Sequence, residues 1–595
     1  MLVKKFLPIL AFLLFVKANA QSDALARQYF EDGAFEKAAL FYEKLYKKNP
    51  KRVDYLEFLI QSYQQLEKYD QVETLLLSRL NNPFFSPNFL VELGYNYALQ
   101  NNTAEAEKYY EQAISRIDQN PGYAYIIGNS FRKKTLLDYA LKTYEKSMKL
   151  NPNNNLHLEI ARIYGEQGKI EKMFSSYLDL ISNNRAYQPN VLRNINMFIS
   201  DDTKEQNNIL FKRVLLKKLQ SNPDVLWNEL LSWLFIQQKQ FKSAFAQEKA
   251  ILKRSDIFNI QRMVDLGIIS METKDFETAK DIFEFIIQNT NDKSLQLKAH
   301  LHITDFELQQ ASKKEYAKIE EQYKILLQQY GTYPETLNLQ IKYAEFLAFY
   351  KDDITTAREL LKESLELNLN RFQLARVKIT LADILVYDEK FNQALIYYSQ
   401  VQKSLKNDVI AQTARFKVAK TSFYKGDFDW SLTQLKVLRS STTQLIANDA
   451  MQLSLLISDN SLEDSTQTAL KIFAKADLLA FQNKDTEAIA LLNEILENHK
   501  GESIEDEALL KQGKLHEKSG AFEKAKLNYI KILEFFSTDI LVDDALFALG
   551  ELYTNQFNDP EKAKEYYERI ILNHPDSIYA VEARKKYRRL RGDAI

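Results

Sequence analysis

The sequence contains no cysteine and has little glycine or proline, 14 and 11 of 595 residues respectively. Without cysteine there can be no disulfide framework, no cysteine-ligated zinc, no thiol nucleophile and no lipidated N-terminal cysteine. Scarce glycine and proline argue against sandwiches, collagen-like stretches and long flexible linkers. We therefore expect a helix-rich protein whose stability comes from packing alone.

The first 20 residues have the pattern of a secretory signal peptide. Lys4 and Lys5 provide a positive start, Phe6–Val16 is an apolar run, and Ala18–Ala20 forms a small-x-small cleavage site. An uncleaved anchor is the alternative, but this apolar run is far shorter than the roughly 20 residues that span a bilayer. The sequence therefore predicts an exported protein that begins at Gln21 and is periplasmic, associated with the cell envelope, or secreted.

No strong excess of either charge is present. Taking Lys4, Lys5 and Lys17 from the 79 basic residues leaves 76 against 80 acidic residues, a net charge of −4. This balance offers no broad basic surface for nucleic acid. No later segment is long and apolar enough to cross a membrane, so we expect no transmembrane segment in the mature chain.

One phrase of the sequence recurs at a nearly constant interval. Its small or apolar anchor residues are separated by 34, 34, 34 and 33 positions: Ala38, Val72, Ala106, Ala140 and Met173. Apolar residues at i, i+3, i+4 and i+7 within each half of the phrase predict two amphipathic helices per unit. The sequence is therefore expected to form an array of helical hairpins.

The residues at fixed offsets from these anchors resemble the tetratricopeptide repeat family, whose unit is a helix–turn–helix of 34 residues. Gly94 precedes Tyr110 as Gly128 precedes Tyr144, and Asn151-Pro152 ends the second helix of its unit. The resemblance implies an all-α fold, an α–α superhelix of about 14 repeats closed by a C-terminal capping helix.

Beyond Met173 the anchors continue at less regular intervals. They are Ala244, Ala279, Ile319, Ala357, Ala394, Ser431, Ala488, Ala525 and Ala563, with room for one degenerate unit between Met173 and Ala244. Two stretches break the rhythm, 182–222 and 439–468. The predicted organisation is a signal peptide (1–20), a regular array (23–183), an irregular array (184–438), a polar linker or insert (439–468), and a C-terminal array with its capping helix (469–595).

Residues suited to catalysis or metal binding form no recognisable site. The common nucleotide-binding, metalloprotease and serine-hydrolase motifs do not occur in the sequence. His300 and His302, two apart on a helix, should point in different directions and make a poor metal site. His157, His516 and His574 are expected at packing or turn positions. We predict no enzymatic activity, no cofactor and no bound metal.

The end of the chain has two features of its own. The segment 559–583 resembles the repeats of periplasmic envelope-assembly proteins, among them the helical lipoprotein of the β-barrel assembly machinery. The tail 584–591 is basic, which suits either the polar outer face of a capping helix or contact with anionic lipid or an acidic partner. Of the two, the capping helix is the interpretation we favour.

In tetratricopeptide proteins the first helix of each unit lines a concave surface that receives peptides or partner helices. Mixed aromatic, amide and arginine side chains suit such a surface, although ordinary exposed helix residues give the same pattern. By register, the predicted partner-binding residues are Gln61, Gln64, Tyr95, Tyr125, Asn129, Arg132, Arg162 and Glu166.

The resemblance implies a protein that works by holding other proteins. We expect a scaffold in assembly, secretion or motility complexes of a Gram-negative envelope. Its partners would be other envelope proteins or peptides, including through peripheral association with outer-membrane complexes. Two other functions remain open. One is a glycan-binding or polysaccharide-synthesis accessory protein whose aromatic groove stacks on sugars, and the other is an unrecognised enzyme.

Overall fold

The computed structural model describes residues 22–82, 85–255, 259–406, 408–439, 444–461 and 467–593. Within these ranges every regular element is a helix and there is no strand. The predicted signal peptide lies outside the described residues. The chain divides into two compact units, unit 1 up to Thr278 and unit 2 from Ala279.

The helices follow one another with short turns between them. Those up to the division are α1 (22–31), α2 (Phe35–Lys48), α3 (Val53–Gln65), α4 (Tyr69–Leu80), α5 (Asn88–Leu99), α6 (Thr103–Gln119), α7 (Ala124–Lys133), α8 (Leu137–Leu150), α9 (His157–Glu166), α10 (Ile170–Asn183), α11 (Gln188–Asn196), α12 (Gln206–Ser221), α13 (Val225–Gln237), α14 (Phe241–Arg254), α15 (Gln261–Glu272) and α16 (Phe276–Asn289), in which the division falls.

Unit 2 continues in the same manner. Its helices are α17 (Lys293–Gln310), α18 (Tyr316–Tyr330), α19 (Leu337–Phe349), α20 (Ile354–Leu365), α21 (Arg371–Tyr387), α22 (Phe391–Ser404), α23 (Val409–Lys425), α24 (Phe428–Leu438), α25 (Gln444–Asp459), α26 (Thr468–Phe481), α27 (Asp485–Asn498), α28 (Ile504–Lys518), α29 (Phe522–Phe535), α30 (Val542–Asn555), α31 (Pro560–Asn573) and α32 (Ala580–Arg591).

The predicted anchors are the most regular feature of the repeat. All fourteen lie in the second helix of a helical hairpin, and none has more than 3% of its surface exposed. A small residue is favoured there because the second helix crosses the first at close range, and a larger side chain would force the helices apart. The all-helical repeat fold predicted from the sequence is therefore confirmed.

Glycine on the first helix also allows close approach, as the sequence predicted for Gly94 and Gly128. A Cβ atom added to Gly94 would lie 2.5 Å from the ring of Tyr110, and one on Gly128 would overlap the ring of Tyr144. Unit 2 repeats the arrangement, because a Cβ atom added to Gly550 would lie 2.5 Å from the ring of Tyr567. The glycine–tyrosine spacing is thus a packing constraint in both units.

In most hairpins the inner turn places one residue in the left-handed region, the described turn between α17 and α18 being an exception. In unit 1 these residues include Gly33, Glu67, Asn101 and Thr135, with φ of 73°, 58°, 61° and 57°. Glycine adopts this conformation without cost, whereas other residues adopt it with strain. The turn geometry is therefore set by the repeat, whichever residue occupies it.

The two stretches that break the repeat both contain helices where described. The long interval between Met173 and Ala244 contains α11 and α12, where the sequence leaves room for a degenerate unit. The stretch 439–468, expected to be a polar linker or insert, contains α25, whose Ala450, Leu453 and Ile457 are buried in the core of unit 2. This stretch therefore adds a packed helix to the array, while the predicted domain boundaries stay predictions.

Candidate partner-binding surfaces

Four successive first helices of unit 1 carry the residues predicted to bind partners. Gln61 and Gln64 lie on α3, Tyr95 on α5, Tyr125, Asn129 and Arg132 on α7, and Arg162 and Glu166 on α9. Lys133 of α7 comes within 3.9 Å of Glu57 on α3, two repeats earlier. Such a contact places these first helices on the inner side of a curve within this part of unit 1.

The charged members of the predicted set already have partners within unit 1. Arg132 Nε donates to Glu166 Oε1 at 2.7 Å, which joins α7 to α9. Arg162 Nη1 donates to Glu159 Oε1 at 2.9 Å, one turn away on its own helix. Arg132 and Arg162 can therefore reach the carboxylates of a partner, as predicted, only if they first release Glu166 and Glu159.

The uncharged members differ widely in exposure. Tyr125 is 57% exposed, whereas Gln64 is only 6% exposed and faces the interior of the repeat. Tyr95, Gln61 and Asn129 are half-buried. Of the eight predicted residues, Tyr125 presents the most apolar area to a ligand, and Gln64 presents almost none.

Tyr95 belongs to a compact charged cluster of unit 1. The Lys134 ammonium lies 4.7 Å from the centre of the Tyr95 ring and 2.9 Å from the Glu92 carboxylate. Both side chains of the Lys134–Glu92 pair are almost completely buried. This cluster holds α7 against α5 and leaves Tyr95 with a structural role beside any binding role.

Unit 2 places opposite charges on neighbouring first helices at the spacing of the repeat. Lys417 Nζ donates to Asp383 Oδ1 at 2.7 Å, and Lys511 Nζ donates to Asp477 Oδ1 at 2.5 Å. Both pairs are 34 residues apart. The sequence shows these opposite charges one repeat apart, so the spacing could have identified the four residues. The search by motif and by repeat register did not find them.

Asp477 is the most buried of these carboxylates. It lies between Lys420 and Lys511, each with Nζ at 2.5 Å, and 8% of its side chain is exposed. Burial by itself would raise the pKa of Asp477, but the two ammonium groups outweigh burial and hold the pKa well below its usual value. The Asp477 carboxylate therefore holds the ammonium groups of Lys420 on α23 and Lys511 on α28 in place.

A cavity of about 310 Å³ opens beside this triad. It is enclosed by side chains of α23, α25, α26 and α28 and by the entry to α30. The lining residues are Phe416, Lys420, Asp449, Gln452, Leu453, Leu456, Phe473, Asp477, Glu507, Leu510, Lys511, Lys514, Ile540, Leu541 and Asp544. Apolar side chains make up about half of this lining and charged side chains the other half, so the cavity offers both kinds of contact to a ligand.

Two acids in the cavity wall have unusual protonation. Burial raises the pKa of Glu507 to about 10, and its hydrogen bond with the Asp506 carboxyl contributes in the same direction. Burial also raises the pKa of Asp544, although Lys514 and the Tyr579 hydroxyl, 2.9 Å away, oppose the shift. With its pKa raised in this way, the Glu507 carboxyl keeps its proton to a higher pH than an exposed acid and can then donate a hydrogen bond.

Lys514 is the cation of this cavity with most freedom to bind a ligand. Its side chain is 56% exposed, and its ammonium lies 3.8 Å from Asp544, longer than a normal ion pair. Ile540, 60% exposed, lines the same cavity. This arrangement suits a ligand with an apolar side chain, which would contact Ile540, next to a carboxylate, which would contact Lys514.

The histidine pair does not form a joint site. The His302 ring stacks on Phe283 with centroids 4.9 Å apart, and the His300 ring meets the edge of Tyr330 at 6.2 Å. In the described part of the chain, no group of three or more His, Asp or Glu side chains is placed to hold a metal ion. No helix of that part combines the length and apolar character needed to cross a bilayer.

Comparison with protein families identifies two repeats directly. Tetratricopeptide repeat models match residues 87–120 and residues 544–577, one in each unit. The chain therefore contains tetratricopeptide repeats. The comparison with curated proteins finds no match.

Solved structures provide distant likenesses. One is a chain of the structure of Naa15/Naa10 bound to HypK-THB, 14% identical, covering 96% of both chains with a TM-score of 0.30. Another belongs to the crystal structure of the APC/C hetero-tetramer Cut9-Hcn1, 13% identical, also covering 96% of both chains, with a TM-score of 0.22. At these TM-scores neither likeness informs the arrangement of repeats in this chain.

Proposed function

We propose that this repeat protein is a non-catalytic scaffold that binds protein partners along the first helices of its hairpins. The observation that carries the proposal is the cavity beside Asp477, which combines apolar side chains such as Ile540 with the exposed ammonium of Lys514. A partner segment that inserts an aliphatic side chain and places a carboxylate at Lys514 would satisfy both features. Repeat arrays present such surfaces because each hairpin contacts only its neighbours and leaves one face free.

The inner surface of unit 1 is the second proposed contact. Tyr125 offers exposed aromatic area, which is enriched where interfaces are strongest. Arg132 and Glu166 would exchange partners on binding, since both side chains remain about one-third exposed in their mutual ion pair. This surface keeps the role predicted for it from the register of the repeat.

Site-specific photocrosslinking in intact cells tests both contacts. A photoreactive phenylalanine analogue replaces Tyr125 in one variant and Ile540 in another. The matched controls carry it at Leu40 and Leu527, which are 51% and 55% exposed on second helices. We expect protease-sensitive adducts at Tyr125 or Ile540 and few at the controls. Equal labelling at all four positions, or no protein adduct at either test position, would refute the proposal.

The same experiment distinguishes the glycan-binding alternative. Exposed Tyr125 would also stack on a sugar ring, so an adduct there that resists protease and is removed by glycosidase would favour a glycan ligand. We further propose that the scaffold acts in a bacterial cell envelope, on the strength of the signal-peptide pattern in residues 1–20. N-terminal sequencing that finds Met1 retained would remove the basis for this location.

A further inference from the structure

The last helix of unit 2 turns a cationic face to solvent. Ala580 and Ala583 of α32 are buried against the preceding hairpin, with 4% and 0% of their surfaces exposed. Arg584, Lys585 and Arg588 of the same helix are exposed. These three positions follow Val581 at i+3, i+4 and i+7 and so share its face of the helix.

Only part of this charge is neutralised within the described residues. Lys586 points inward, where its ammonium pairs with Glu551 at 2.9 Å and fastens the helix to α30. On the outer side, Lys585 pairs with Glu582 at 3.7 Å and Arg591 pairs with Asp593. Arg584, Arg588 and Arg589 make no ion pair with any residue that the structure describes. Arg584 and Arg588 of the outer face, and Arg589 next to them, are therefore available to an anionic partner.

Exposed aliphatic side chains accompany the charges. Val581 on the cationic face and Ile578 in the turn before it are each 63% exposed. A helix that merely closes a repeat array presents a polar outer face, because capping requires solubility and nothing else. Aliphatic side chains this exposed, within one turn of a cationic cluster, call for an apolar contact as well as an anionic one.

We propose that the outer face of α32, with the turn before it, binds the surface of an anionic phospholipid membrane. A single helix face is convex and accepts a flat, deformable surface, whereas a folded acidic partner would need a matching groove. Arginine and lysine side chains of the face would contact lipid phosphates, and Val581 and Ile578 would enter the boundary between headgroups and acyl chains. Each cation near an anionic surface contributes appreciably to binding, and added salt screens that contribution.

Vesicle sedimentation with the mature chain, residues 21–595, tests the proposal. The probes are phosphatidylcholine vesicles with and without about one-third phosphatidylglycerol, at low and high salt. We expect binding only to the anionic vesicles and its loss at high salt. Binding to neither kind of vesicle at low salt would overturn the proposal, as would preferential binding to an acidic peptide such as polyglutamate.

Two variants separate the contributions of charge and apolar contact. The triple change Arg584→Gln, Arg588→Gln and Arg589→Gln should weaken binding at least thirtyfold and reduce its dependence on salt. The double change Ile578→Ser with Val581→Ser should weaken binding about fivefold with the salt dependence retained.

The matched control removes three exposed lysines elsewhere in unit 2: Lys313→Gln, Lys314→Gln and Lys362→Gln. This control should bind anionic vesicles as tightly as the parent. Circular dichroism of every variant should match the parent spectrum. A triple arginine variant that remains helical and binds as tightly as the parent would refute a role for α32, whether or not the partner-binding surfaces prove correct.

Discussion

Tyr144 of unit 1 and Tyr529 of unit 2 occupy the same position of the repeat, each packed against a glycine of the first helix. Both rings are fully buried. The Tyr144 hydroxyl finds no hydrogen-bond partner among the described residues, whereas the Tyr529 hydroxyl donates to the Glu517 carboxylate. The repeat therefore determines the position of the tyrosine ring. Whether the hydroxyl group has a hydrogen-bond partner depends on one residue of the first helix.

Other tyrosines and the ion pairs of the two units show the same contrast. Tyr110 of unit 1 also has a hydroxyl without a partner among the described residues, while Tyr567 of unit 2 donates to Glu551 at 2.6 Å. The Arg132–Glu166 pair of unit 1 is about one-third exposed, and the Asp477 carboxylate of unit 2 is almost completely buried. These tyrosine hydroxyls of unit 2 are therefore paired with carboxylates where those of unit 1 are not, while buried ion pairs occur in both units, as Lys134–Glu92 shows for unit 1.

The largest expected effect comes from removing the buried charge. Asp477→Asn leaves Lys420 and Lys511 facing each other without a carboxylate, so we expect the free energy of unfolding to fall by about 3 kcal/mol. The matched change in unit 1, Glu166→Gln, breaks an exposed pair and should cost less than about 1 kcal/mol. Urea denaturation followed by circular dichroism measures both, and similar losses in the two variants would contradict the contrast.

A smaller effect should depend on pH through Glu507. Because the pKa of Glu507 is raised to about 10 from 4.5, the folded protein keeps a proton that the unfolded chain releases above pH 4.5. This group therefore lowers the free energy of unfolding as pH rises from 4.5 towards 10 and has no such effect below 4.5.

Glu507→Gln, which mimics the protonated acid, should thus be equal to the parent in stability near pH 4.5 and increasingly more stable above it, by at least about 1 kcal/mol at pH 8. Glu497→Gln, at an exposed position of α27, is the control. Denaturation curves at several pH values give the comparison. A Gln variant with the same advantage at every pH would show that Glu507 is not the titrating group.

Removing the tyrosine hydroxyls tests the contrast between Tyr144 and Tyr529 directly. Tyr529→Phe leaves the Glu517 carboxylate without its buried donor and should cost about 1–2 kcal/mol, as expected for a hydrogen bond to a charged group. Tyr144→Phe removes a buried hydroxyl that has no partner among the described residues and should be neutral or slightly stabilising. Thermal unfolding of the two variants measures the difference, and equal destabilisation would mean that Tyr144 has an unrecognised acceptor.

The smallest expected effect concerns the left-handed turns. Glu67 and Glu389 have φ of 58° and 54°, and the Glu389 carboxylate accepts hydrogen bonds from Lys475 Nζ at 2.9 and 3.0 Å. Glu67→Gly should relieve backbone strain and stabilise the protein by up to about 1 kcal/mol. Glu389→Gly gains the same relief but loses the ion pair, so its net change should be smaller. Urea denaturation measures the free energy of unfolding of both variants. A larger gain for Glu389→Gly than for Glu67→Gly would contradict a stabilising role of the Glu389–Lys475 pair.

Much of the fold could be predicted from the sequence because it depends on steric size at a fixed interval. Ala38, Ala140 and Ala563 are buried because a helix crossing favours a small residue, and that preference recurs with the repeat. Gly128 and Tyr144 constrain each other for the same reason. The stretch containing α25 was harder to interpret, since its apolar residues follow no repeat and its flanks are polar.

The candidate sites depended on tertiary structure. The register placed Gln64 and Tyr125 together on a binding surface, but only packing decided that Gln64 is buried while Tyr125 is exposed. The cavity beside Asp477 combines residues from 416 to 544, which no local pattern connects. The amino-acid sequence by itself determined the repeating hairpin, because size and helical periodicity act between near neighbours. Which charges are buried, and which surface stays open to a partner, followed from long-range packing.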